Sequence, residues 1–238
     1  MSRPQAEPPD LREHGRGVAS DRRLFFQLLV FDGCPDPAAL GGAVENSRGH
    51  GVAYAELNQP RGAGLLTCSE DPAYFTDALR SALAKPTFSD LTPRAGWSMI
   101  GRTYSIGYET DLDETLLHRP VRHAFEEAWP WAVWYPLRRS GAFARLDAEE
   151  QKGVLAEHGK LGMSFSAGDF AHDVRLACHG LDPSDNDFTI GLMGAGLAPL
   201  SKLVEAMRRT VQTSTYLERL GPFFVGRRVW QSSPPVLQ

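Results

Sequence analysis

Apolar positions fall into short blocks, and the spacing changes from block to block. LFFQLLVF (Leu24–Phe31) is a dense apolar run with the length of a buried strand. PDPAALGGAVENS follows as a helix, and then HGVAYAEL and AGLLTCS read as two strands parted by the turn signal NQPRG. DPAYFTDALRSALAK begins with an Asp at the N-cap and a Pro at the first helical position, and continues with apolar residues at helical spacing. GWSMIGRTYSIGYE returns to strand spacing. The first half therefore reads strand, helix, strand, strand, helix, strand.

The second half repeats that order. WAVWYPL is a strand, DAEEQKGVLAEHGKLG a helix ending at Gly162, FAHDVRLAC and DFTIGLM strands, APLSKLVEAMRRTVQ a helix and PFFVGRRV the last strand. Two copies of βαββαβ predict an α+β fold of two fused ferredoxin-like repeats packed sheet to sheet, in the manner of a dimeric α/β barrel. The boundaries are a disordered lead-in over 1–22, a first repeat over 23–110, a connection over 111–130 holding a Pro and two histidines, a second repeat over 131–230, and a tail over 231–238.

Composition narrows the function more than it defines it. The 238 residues carry a net charge of −4 and 42% apolar residues, enough for a substantial core and without the basic balance of nucleic-acid or anionic-membrane binding. No run of about 18 apolar residues predicts a membrane span. The first 23 residues lack the apolar centre of a secretory signal. Cys34, Cys68 and Cys178 are scattered, which fits reduced thiols in a cytoplasm.

Few motifs carry chemistry by themselves. RGAGL and MGAGLAPL match no phosphate-binding loop, and there is no nucleophile elbow. His118 and His123 are five apart around Pro120, and His172 and His179 seven apart on a strand, so neither pair has the spacing of two ligands on one face. WPWAVWYPLRR is more distinctive. Trp131, Val133 and Tyr135 share one strand face, which is either packed core or a wall for a flat ligand, with Arg138 and Arg139 at its rim to hold carboxylates. His158 stands in the last turn of its predicted helix. There it either matches the helix dipole or serves as a metal ligand, and spacing alone does not separate the two.

LAEHG (155–159), YPxxR (135–139) and GPFFVGR (221–227) resemble segments of the chlorite dismutase family, and most closely its coproheme decarboxylases with a distal histidine. The resemblance implies haem b or iron coproporphyrin III as the porphyrin, with His158 as its iron ligand. By the same likeness Tyr135 is the radical-bearing tyrosine, 23 residues before His158, and His118, 17 residues before Tyr135, is the distal base. Arg139 and Arg208 fall at propionate positions, Thr213 at a hydroxyl contact, and Phe143-Ala144 where those decarboxylases have Trp-Tyr. Arg175 is the nearest residue to the distal arginine of chlorite dismutases proper, but out of register with it. The implied activity is peroxide-driven decarboxylation of coproheme propionates to haem b by a cytoplasmic homo-oligomer, a pentamer in some members. The alternatives are a haem-b paralogue oxidising or dehydrating another small molecule, and a haem-binding protein without catalysis.

Overall fold

The computed structural model describes residues 7–237. Its main strands are β1 (Phe25–Asp32), β2 (His50–Glu56), β3 (Ala63–Ser69), β4 (Met99–Arg102), β5 (Trp131–Arg139), β6 (His172–Ala177), β7 (Phe188–Gly194), β8 (Leu217–Leu220) and β9 (Phe224–Gln231). The first repeat has the antiparallel order β4-β1-β3-β2 and the second β9-β5-β7-β6, so the same ferredoxin-like order occurs twice. The repeats join edge to edge. β2 pairs with β9 from Glu56↔Gly226 to Val52↔Gln231, and β4 meets β6 at Ala177↔Arg102, which closes the sheet into a barrel.

The strand period of two sorts the side chains into an inner and an outer set. Phe26, Leu28, Val52, Leu66, Trp134, Val174, Leu176 and Phe224 fill the inside, so the barrel is a packed core rather than a channel. Two glycines make room for its largest rings. A Cβ at Gly191 would lie 2.5 Å from the Trp134 ring, and one at Gly64 would lie 2.4 Å from Phe224.

Six helices of the described residues cover the outside, α1 (Gly41–Ser47), α2 (Arg80–Leu83), α4 (Gly141–Ala144), α5 (Ala148–Ala167), α6 (Leu197–Met207) and α7 (Val211–Tyr216), whereas α3 (Arg119–Phe125) packs Val121, Ala124 and Phe125 into the inner cluster. Over the first repeat, Leu40, Ala43, Val44, Phe75, Leu79 and Ala82 seal onto Phe31, Ala53, Ala63 and Leu65. Each large side chain buried there stabilises the fold by about 1.5–3 kcal/mol.

Three expectations change. The helix carrying His158 does not stop at Gly162. Asp147 and Glu150 form a capping box at its start, and it runs 20 residues to a cap at Gly168. His158 is therefore mid-helix, and the dipole reading lapses. The 111–130 connection holds a helix, α3, entered through a wider turn at Glu114–His118, with Pro120 in its first turn where a missing N–H costs nothing. The predicted disordered lead-in is ordered over its described part. Glu13–His14 pairs with Ala19–Ser20, and the Glu13 carboxylate accepts bonds from Arg102 and from the Ser105 backbone. Residues 1–6 and 238 of the two terminal segments lie outside the described residues.

Candidate functional site

The outer face of the second repeat is built differently from that of the first. α6 packs Leu200 and Leu203 onto Val133, Tyr135, Leu137, Phe188 and Leu192. α5, although 20 residues long, buries none of its side chains. Its half-buried positions, Gln151, Val154, Leu155, His158, Leu161 and Phe165, recur every three or four residues and so form one stripe. His158 is the only ionisable member of that stripe.

His158 Nδ1 lies 3.1 Å from Thr210 Oγ1, at the start of α7. Burial, and after it the positive charge of Arg139, holds the imidazole below its ordinary pKa, with Arg175 adding to the effect and Glu157 and Asp173 opposing it. The ring is thus kept neutral, the form that ligates a metal.

The sheet beneath supplies a polar row. Ile190 pairs with both Tyr135 and Arg175, so these two share an outward-facing row on either side of it. Arg175 therefore stands level with Tyr135, two strands away across β7. Its Nε lies 3.2 Å from Asp173, which faces the same way. Tyr135 is buried and stacks on Phe223 at 4.7 Å, and burial pushes its phenol far above the usual range.

Arg139 is the most informative side chain. Its guanidinium lies 4.6 Å from the Phe143 ring and 4.6 Å from the Phe188 ring. Its backbone N–H donates to Asp187, yet its buried Nε has no partner and no ion pair among the described residues includes it. Burial pulls it below the ordinary arginine value, the mark of an incompletely compensated charge. The adjacent Arg138 points the other way and pairs with Asp185 at 2.8 Å.

Other expected residues stand apart from this group. His118 is exposed, and no hydrogen bond or ring contact among the described residues joins it to Tyr135 or His158. Its neighbour Arg119 lies near Asp173 and Arg175, and burial lowers its pKa as well, while His123 of the same helix meets the Asp173 carbonyl at 2.7 Å. Arg208 is exposed at the end of α6. Thr213 reaches Thr210, 3.4 Å away, rather than His158 itself. His123 and His172 pack with Trp129 at the barrel end, where the Trp129 and His172 rings stack at 3.5 Å, and His179 lies 3.3 Å from Asp187. Among the described residues no group of three or more His, Cys, Asp or Glu side chains is placed to hold a metal. Sequence reasoning missed Thr210, Asp173 and Arg119, which only the folded arrangement brings to the site.

The sequence model described as "Chlorite dismutase" matches residues 64–229. None of the curated proteins compared matches the chain. Among solved structures, a haem-binding protein from Thermus thermophilus is similar at 18% identity, over 87% of this chain and 91% of that one, with a TM-score of 0.67. A chlorite dismutase from Candidatus Nitrospira defluvii is similar at 16% identity, over 88% of this chain and 92% of that one, with a TM-score of 0.69. At such identities the likeness is one of fold.

Proposed function

This chain belongs to the chlorite dismutase family, and on that premise we propose that it is a haem-dependent oxidoreductase that uses peroxide to decarboxylate coproheme to haem b. The observation that carries the reading is Arg139, a half-buried side chain whose guanidinium lies against two aromatic rings and whose buried Nε has no partner among the described residues. Such a group fits a carboxylate of a flat ligand lying over the sheet. His158, neutral and on the same face, fits the iron of that ligand, and an iron porphyrin bound there supplies the redox chemistry with peroxide.

The chain's own residues do the rest. Arg139, Arg119 and Arg175 gather on this face, and burial leaves Arg139 and Arg119 incompletely compensated by the carboxylates near them, so the site favours an anionic guest. Tyr135 keeps its phenolic proton at neutral pH, and releasing that proton is coupled to any oxidation of its ring. Asp173 is the carboxylate that faces Tyr135, and Arg175 beside it pairs with it at 3.2 Å. His118, exposed on the connecting helix, takes a smaller part than the resemblance assigns to it. Each turn of the reaction converts one propionic side chain and one hydrogen peroxide into a vinyl group, carbon dioxide and two waters.

Iron coproporphyrin III and peroxide, followed by mass, test the proposal. Loss of two carboxyl groups in succession supports it, and Tyr135→Phe abolishes that loss. His158→Ala abolishes the Soret band of the bound porphyrin. Unchanged porphyrin mass, or full activity in Tyr135→Phe, refutes the decarboxylase reading.

The position of Arg175 favours a second reading, in which haem b is a retained cofactor and a small oxidant or organic molecule is the substrate. Haem b bound tightly on purification, together with no turnover of coproheme, selects it.

A further inference from the structure

The pair His158–Thr210 carries information that neither residue holds alone. A threonine hydroxyl has one proton to give and two lone pairs to offer. Thr210 Oγ1 lies 2.8 Å from the Met207 carbonyl, which can only accept, and 3.4 Å from Thr213 Oγ1. With its single proton directed to Met207, Thr210 can meet His158 Nδ1, 3.1 Å away, only as an acceptor. Met207, at 2.8 Å, is the shortest of the three contacts, and the proton assignment that follows from it puts a hydrogen on Nδ1 and leaves the Nε2 lone pair bare. Thr210 is buried, so water does not readily replace it, and it sits at the start of α7, in the turn following α6.

We propose that Thr210 is the positioning residue of the site: it locks His158 in the Nδ1–H tautomer, and as a neutral acceptor it makes His158 a weaker electron donor to a bound iron than a carboxylate partner would. The second half of this inference rests on the haem reading above; the first half does not. Free histidine prefers the opposite tautomer, so the lock is measurable without any ligand. The partner of a ligating histidine's second nitrogen fixes ring orientation and ligand basicity, and its removal typically costs about 10–100-fold in metal affinity.

Long-range proton–nitrogen NMR of the porphyrin-free protein reads the tautomer directly. Wild type and Thr210→Ser are expected to show Nδ1–H, and Thr210→Val to revert toward Nε2–H. On the haem-loaded protein, resonance Raman reads the iron–imidazole stretch. Thr210→Val is expected to lower it and to weaken haem affinity by about 10–100-fold. Thr210→Ser restores both, and Thr210→Asp raises the stretch and lowers the reduction potential. An Nε2–H tautomer in wild type overturns the proposal, and so do Raman and affinity values in Thr210→Val that match wild type. If the tautomer is locked as stated but no haem binds through His158, the haem reading fails while the lock stands.

Discussion

The outer faces of the two repeats start from the same strand order and end differently. In the first, short helices press Leu40, Ala43, Val44 and Leu79 against the sheet as one buried cluster. In the second, the longest helix of the described residues buries none of its side chains and carries a half-buried histidine, and the same face holds a tyrosine and an arginine that has two aromatic rings against it but no ion pair among the described residues. One face spends its apolar surface on stability, whereas the other is the face on which we propose a flat guest, apolar at its centre and anionic at its rim. The difference can be tested from both sides.

The largest effect is expected in the sealed face. Leu40→Ala costs about 2–5 kcal/mol of stability in urea denaturation and leaves porphyrin spectra unchanged; a porphyrin defect of comparable size would mean that the two faces are coupled. The next effect is on the open face. Haem at about 100 times its dissociation constant adds about 2.7 kcal/mol, and the gain in hydrogen-exchange protection concentrates in α5 and α7; equal gains in α1 would erase the distinction.

A smaller change is expected at the rim. Arg139→Gln weakens iron coproporphyrin binding by about 10-fold or more, in line with roughly 1.5–3 kcal/mol for hydrogen bonds to charged groups. In the porphyrin-free protein it costs no stability, because it removes an incompletely paired, half-buried charge. A loss of stability without a loss of affinity would assign Arg139 to the scaffold.

The smallest effect is that of pH. The folded state holds His158 below the ordinary histidine value, so the unfolded chain takes up its proton first as pH falls. Stability therefore declines below about pH 6.5, while porphyrin affinity stays level through that point and drops only lower still. An affinity loss centred at or above about pH 6.5 would place His158 in water rather than under cover.

Much of the scaffold is legible in the residue pattern, because strand and helix periods are local. β1, β2, β3, β5 and β7 lie within a residue or two of the apolar blocks that predict them. The errors arise where a local signal has two meanings. Gly162 suggests a helix end, but an interior glycine costs only about 1 kcal/mol relative to alanine and terminates nothing by itself. Gly162 instead admits Met207 of α6, whose Cε would lie 3.5 Å from a Cβ there. Pro120 likewise disguises α3 by standing in its first turn. His158, Tyr135 and Arg139 are readable as a set only through their spacing in the family. Thr210 lies 52 residues beyond His158, and only the packing of α7 beside α5 joins them. The step from His118 to Arg119 shows the same limit, since which of two neighbours faces inward depends on the phase of the helix.

The closed barrel has a consequence for any attempt to cut the chain. Five residue pairs stitch β2 to β9, and Arg102↔Ala177 fastens the opposite seam. Severed in the 111–130 connection, each repeat would present bare backbone donors and acceptors along both margins. The pieces would behave as two halves of one zipper, sticky alone and complementary together. The internal duplication is thus a symmetry of form but not a division of labour in folding, and the halves can be exchanged between relatives only as a matched pair.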